Sequence, residues 1–244
     1  MLGVNASPFC LKVETFLKVL GVDYEAIGDF HNLDKFSRHK LPVVQYNQEI
    51  VQDSTNIVRF IDRVWGTTHK YPKGIDDGMS DKDLATANLI RHAVEDSLAP
   101  LLVHFRWIYE PGWQVWKTGA FSQLPVFLTP FIPPMVRKQV RRSLIASGVG
   151  RYPESEMLDR AKEIIHAVSM QLGRNKFLFG DKFRSIDASV YGVLANIILF
   201  PMDSPLQKLA CQYDNLVTYV KMVRDYADHQ HQEATASSSS SSSS

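Results

Sequence analysis

The sequence predicts an α/β domain followed by an all-helical one: residues 1–66 form the first, 67–79 a linker and 80–227 the second, with 228–244 a disordered serine-rich tail. Two observations carry this division. Helix and strand signals alternate through the first 65 residues, whereas after residue 79 long apolar stripes at helical spacing take over. Between them lies a stretch of Gly, Pro, Thr, Lys and Asp with little periodicity, the composition of a connecting segment.

Phe9, Val13, Phe16, Leu17 and Leu20 share one helical face, and Gly21 is a suitable terminator. Val22, Tyr24 and Ala26 alternate with polar residues and predict a short strand. Residues 43–46 and 49–51 flank Asn47-Gln48, a two-residue hairpin turn. Ile57, Phe60, Ile61 and Val64 then form one face of a second helix. In the helical half, Ser80 with Asp83 makes a helix start. Ala87, Ile90, Val94, Leu98, Leu101, Phe105 and Ile108 form the stripe that follows, and Pro100 inside it predicts a kink rather than an end. Met157, Ala161, Ile164, Ile165, Val168 and Leu172, closed by Gly173, make another helix, with Pro153, Glu154 and Glu156 well placed at its first turn. The run 186–200 is almost wholly apolar, as in a helix buried on every side, and 206–226 supplies the last.

Lys plus Arg number 27 against 26 Asp plus Glu, a formal charge of +1, which gives no global footprint for nucleic acid. The two cysteines, Cys10 and Cys211, exclude a disulfide scaffold and a multi-thiolate zinc site, and they suit a reducing compartment. The eight histidines form no H-E-x-x-H or similar pattern, so no metal is expected. Neither is a secretory signal, nor a spanning helix at 118–136, where Pro125, Pro130, Pro133 and Pro134 intervene. The expectation is a cytoplasmic protein, with peripheral membrane association open. Residues 111–153 contain no Asp or Glu but carry Lys117, Arg137, Lys138, Arg141, Arg142 and Arg151. This stretch reads either as a solvated insertion or as a contact for anionic lipid or an acidic partner through Arg137, Lys138, Arg141 and Arg142. Nucleic acid is not expected there, because no stacking aromatics interleave with the basic residues.

Three motifs bear chemistry. Ser7-Pro8-Phe9-Cys10 sits where the first helix begins. At the positive end of a helix a thiolate is stabilised, lowering a thiol pKa from about 8.5 by one to several units. A C-x-x-C pair there would exchange disulfides, whereas Ser7 can only donate a hydrogen bond to a sulfur from elsewhere. Binding of an external thiol follows, with Cys10 as the alternative reactive group. A Ser N-cap followed by Pro is also ordinary helix-start grammar, and the motif alone does not separate the two. Lys40-Leu41-Pro42-Val43 places a proline directly before a strand, either a cis-proline beside an extended ligand or a plain strand opener. Asp53-Ser54 opens the second helix, as a simple N-cap or as an acid for an amino group beside N–H groups for a carboxylate.

In this order and spacing the three resemble the N-terminal domain of the glutathione transferase superfamily. The failed-axon-connections and metaxin-like branch is most similar, on Ser7-Pro8-Phe9-Cys10-Leu11-Lys12-Val13-Glu14-Thr15. The likeness extends through 40–44 and 53–62, then resumes at Gly148-Val149-Gly150-Arg151-Tyr152, 177–181 and Ser185-Ile186-Asp187-Ala188-Ser189-Val190. It implies a thioredoxin-like domain, a helical domain and glutathione as co-substrate. By position, Ser7 is implied to be the thiol-activating hydroxyl, with Cys10 its neighbour on the helix. Lys40, Pro42 and Val43 are implied to bind glutathione, Pro42 as the cis-proline and Val43 as backbone partner of the cysteinyl unit. Asp53 and Ser54 are implied to hold the γ-glutamyl end. Arg106, Trp107, Tyr109 and Trp113 are implied to border a hydrophobic co-substrate site, and Asp187 to fix the loop before its helix.

The resemblance also implies a central strand ahead of Ser7. Only residues 1–6 precede it, and Gly3 and Asn5 are poor strand formers, so the expectation is either a strand reduced to residues 2–4 or an alternative or truncated start of the chain. The implied activity is conjugation of glutathione to a small electrophile. The competing expectation is a non-catalytic interaction module. Members of the superfamily are often dimers, which makes a homodimer the implied assembly.

Overall fold

The structure, a computed structural model, describes residues 5–27, 36–38, 40–67, 71–122 and 124–241, without the side chains of 237–241. Helix α1 (Pro8–Leu20) starts at Ser7, whose hydroxyl accepts from the Cys10 N–H, with Pro8 at the first position. It ends at Gly21, which takes a left-handed conformation at φ 67°. Strands β1 (Val43–Tyr46) and β2 (Glu49–Gln52) form an antiparallel hairpin with Val43 opposite Gln52 and Tyr46 opposite Glu49. Asn47 turns it at φ 53°, a conformation asparagine tolerates well. Helix α2 (Ser54–Trp65) buries Ile57, Val58, Phe60 and Ile61.

The strand expected over Val22–Ala26 is not formed: these residues are irregular. A strand exists only by pairing, and none of the described strands lies beside them. The Val22 N–H instead bonds to the Leu17 carbonyl (3.0 Å) and so completes the end of α1. The reduced strand expected at residues 2–4 falls outside the described residues.

The helical half begins with α3 (Asp81–His92), capped reciprocally by Ser80 and Asp83. The long stripe then continues through a π-helical segment, Ala93–Leu98, into α4 (Ala99–Trp107). Pro100 has no N–H to offer the turn before it, and the chain meets that defect by widening the preceding turn rather than by ending the helix. Helices α5 (Glu110–Ala120) and α6 (Ile132–Ala146) follow, separated by a 3-10 turn, Val126–Leu128. Then come α7 (Glu154–Leu172), α8 (Ser185–Ile198), α9 (Pro205–Ala210) and α10 (Asp214–Ser241).

Every residue of α8 from Ile186 to Ile198 is buried. Helix α1 lies directly on it, and Gly192 is what permits the approach: a Cβ there would stand 2.4 Å from the Pro8 carbonyl oxygen. One hydrophobic core therefore runs through both halves. Arg184 Nη1 donates to the carbonyls of Ile75 (3.0 Å) and Asp77 (2.6 Å), while Asp76 accepts from the Ser185 N–H and hydroxyl. The connecting segment is thus fastened to the start of α8, with Tyr71 and Ile75 buried.

The tail expected to be disordered from residue 228 is helical through Ser241 as the end of α10. Residues past 227 gain contacts that composition does not reveal: Lys18 pairs with Asp228 at 2.6 Å, Tyr24 packs against His231, and Ala234 lies over Gly21.

Candidate functional site

The start of α1 and the start of α2 carry Ser7, Cys10, Asp53 and Ser54 of the candidate residues. Ser7 Oγ accepts from the Cys10 N–H at 3.3 Å. An oxygen used as acceptor still has its own hydrogen to give, so the hydroxyl is available as a donor to a group arriving at the helix end. Its turn is held from several sides. Asn5 Oδ1 accepts from the Ser7 N–H at 2.9 Å, and Asn5 Nδ2 donates to Glu14 at 2.6 Å. From the helical half, Asn196 Nδ2 donates to the Asn5 carbonyl at 3.1 Å and Arg106 Nη1 to the Ala6 carbonyl at 2.5 Å.

Cys10 sits on the same helix end, but burial pushes its thiol up, against the lowering supplied by its hydrogen bond with Ser7. A neutral thiol is a poor nucleophile, so this burial works against Cys10 as a reactive group.

At the start of α2, Asp53 takes φ 81°, an uncommon conformation for a residue with a side chain. Its Oδ1 accepts from the N–H groups of Thr55 (3.0 Å) and Asn56 (3.2 Å), and its Oδ2 faces Arg38 at 3.5 Å. Ser54 is buried. Its hydroxyl lies 3.4 Å from Lys12 Nζ, which also donates to Thr55 Oγ1 (3.0 Å) and pairs with Glu95 Oε1 at 2.6 Å. Arg91 approaches the other Glu95 oxygen at 3.6 Å. Burial pulls the Lys12 ammonium down while Glu95 holds it up.

Lys12 and Glu95 thus bind α1, α2 and the π-helical segment into one unit, and neither was singled out from the sequence. The available signal was slight: Lys12 lies between Leu11 and Val13, whereas Glu95 is followed directly by Asp96 and does not stand out.

The Leu41-Pro42 peptide bond is cis, and Pro42 is buried at the entrance to β1. Val43 opens that strand opposite Gln52, the residue before Asp53. Lys40 is exposed.

The aromatic group divides. Arg106, expected at a substrate border, is buried in the protein: it is 4% exposed, donates to the Asn196 carbonyl and Oδ1, and lies against the faces of Phe200 (4.3 Å) and Trp116 (5.1 Å). Burial lowers it to about 10, so it stays charged at neutral pH. Trp113 is also buried, stacked on Trp107 at 5.9 Å. Trp107 and Tyr109 keep partial exposure. Arg137, expected among the outward basic residues, instead donates to the carbonyls of Trp107 and Ile108 and caps the free end of α4. A shallow depression of about 490 Å³ along α10, lined by Lys176, Lys221 and Tyr226 among others, shares none of these residues.

Residues 8–112 match the family described as glutathione S-transferase N-terminal domain, and residues 161–223 match the glutathione S-transferase C-terminal domain. The chain belongs to the glutathione transferase superfamily. It is 29% identical over 238 residues to the isoprene-epoxide–glutathione S-transferase of Rhodococcus sp. (strain AD45), spanning 92% of this chain and 94% of that protein. Failed axon connections of Drosophila melanogaster is 26% identical over 91% of this chain and 54% of its own length. Metaxin-3 of Danio rerio is 26% identical over 75% of this chain and 59% of its own. A glutathione S-transferase of Ceriporiopsis subvermispora, solved with glutathione, superposes at TM-score 0.62 with 17% identity, over 90% of this chain and 91% of that one. The glutathione transferase layout, thioredoxin-like then helical, is therefore the layout of this chain, with a two-stranded sheet among its described residues.

Proposed function

We propose that this chain binds glutathione across the starts of α1 and α2 and conjugates its sulfur to a small electrophile. The observation that carries the reading is the Ser7 hydroxyl, fixed as acceptor of the Cys10 N–H with its own proton free to reach a sulfur at that helix end. The glutathione thiol gives its proton to water. The hydroxyl and the helix end favour the thiolate, and its sulfur forms the new bond to an electrophilic carbon. When the electrophile is an epoxide, the carbon–oxygen bond breaks and the oxygen takes a proton; when it is an aryl chloride, the carbon–chlorine bond breaks and chloride leaves. The γ-glutamyl end lies at α2, its amino group on Asp53 and its carboxylate at the N–H groups beside Ser54. Val43 and Pro42 border the cysteinyl unit, with Lys40 outside them, and Trp107 and Tyr109 border the electrophile. The Rhodococcus relative makes a small epoxide a natural probe beside a chlorodinitrobenzene acceptor.

Ser7→Ala is expected to lower conjugation roughly 100-fold, the usual effect of removing one donor to a developing anion. Wild-type protein inert toward both electrophiles, or a variant as fast as wild type, rejects the reading. One observation favours a second reading, a non-catalytic interaction module: Asp53 and Ser54 already have partners within the chain. Immobilised glutathione separates the two. Retention supports the transferase, and passage straight through supports the module.

A further inference from the structure

We propose that the exposed face of α6, with the 3-10 turn before it, docks on an anionic lipid surface. Phe131, Met135, Lys138 and Arg142 recur at steps of four, three and four residues, so they project from one side of α6. Phe131 is 71% exposed and Met135 59%, and Lys138 and Arg142 are exposed too. The opposite side, through Pro133, Arg137 and Leu144, faces the protein. Just ahead, Val126 and Phe127 are 87% and 73% exposed. The outward face is therefore graded along its axis: apolar and aromatic at the start, basic roughly two turns on.

An exposed apolar cluster of this kind is rarely left without a use. Its charge says what covers it. Residues 111–153 contain no Asp or Glu, so nothing within the stretch neutralises Lys138 and Arg142, and Arg137 is withdrawn to cap α4. Aromatic and aliphatic groups entering the acyl boundary, with cations held at the level of lipid phosphates, match a bilayer bearing anionic headgroups. A second copy of the chain fits less well. A two-fold pairing of this face on itself would set the basic ends against like charge or against the other copy's apolar end. Among the described residues no helix is long and apolar enough to cross a membrane, and the contact proposed is with its surface. It is independent of the transferase reading.

The test is co-sedimentation of the full chain with phosphatidylcholine vesicles and with phosphatidylcholine–phosphatidylserine vesicles. Binding to the anionic vesicles alone is expected, and it weakens as salt is raised. Lys138→Gln with Arg142→Gln should weaken it roughly 30-fold, from about a fivefold contribution of each cation near such a surface. Phe127→Ser with Phe131→Ser should abolish it. Both pairs replace exposed side chains, and an unchanged melting temperature confirms that they fold. No binding, equal binding to the two vesicle types, or binding indifferent to either pair overturns the proposal. So does a soluble dimer that the phenylalanine pair converts to monomer, which gives the face to a second copy. Equally tight capture by polyglutamate also overturns it, since that gives the face to an acidic protein.

Discussion

Lys12 carries its charge where water scarcely reaches, at 1% exposure, and Glu95 is its close counter-ion. Removing one member of such a pair leaves the other desolvated and alone, at a cost of about 3–5 kcal/mol, whereas removing both is far milder. Lys12→Met should sit at the low end of that range, because Arg91 remains near Glu95. The double variant Lys12→Met/Glu95→Leu should recover most of the loss, as read from urea midpoints. Asp187 is another buried charge. It accepts from the N–H groups of Leu178 and Arg184 and from the Tyr219 hydroxyl, yet burial prevails and raises its carboxyl to about 6. A folded carboxyl with a raised pKa binds its proton more tightly than the unfolded chain does. Its favourable contribution is therefore complete below the unfolded value and is lost as pH climbs from about 4 to about 6. Relative to Asp187→Asn, the wild type should lose up to about 3 kcal/mol of stability across that window. A difference between the two that stays constant with pH removes this account. Neither burial was legible beforehand, because a single Lys or Glu on a helix reads as surface until the neighbouring element is placed. Asp187 as a fixer of the preceding loop was implied by the family resemblance, and its bonds to the Leu178 and Arg184 N–H groups agree with it.

At the level of elements, α1, the hairpin, α2, α7 and α8 were legible because each carries its period, its cap or its turn within a short stretch of sequence. The strand expected at Val22–Ala26 was not, since alternation proposes a strand and only a neighbour makes one. Pro100 announced an irregularity in the long stripe but not its form, a widened turn placed ahead of the proline. The contact between α1 and α8 rests on Gly192, and a methyl group there would meet the Pro8 carbonyl at 2.4 Å. Gly192→Ala gains helix propensity yet forces the two helices apart. It should cost about 1–3 kcal/mol net and should also displace the Ser7 end of α1. Thermal unfolding measures the first effect, and loss of glutathione retention the second. A melting temperature equal to or above wild type would show that the contact relaxes at no cost.

Across the whole molecule the two halves share one core, which α1 enters almost completely. Hydrogen exchange should accordingly give the central amides of α1 and α8 the same protection, because opening one exposes the other. Exchange in α1 well ahead of α8 would show halves that part independently. The candidate site follows the same rule. Its motifs were legible because helix caps and a proline before a strand are local grammar, while the clasp on Asn5 and Ala6 comes from residues about a hundred and about two hundred positions away. Arg106 has no acidic partner in that clasp and is satisfied by carbonyls, an amide and two aromatic faces, with its Nε left bare. A chimera that grafts this α/β half onto helices lacking Arg106 and Asn196 would arrive without its hinge pin. Recombination between members can keep the serine in place only where the arginine and the asparagine travel with it.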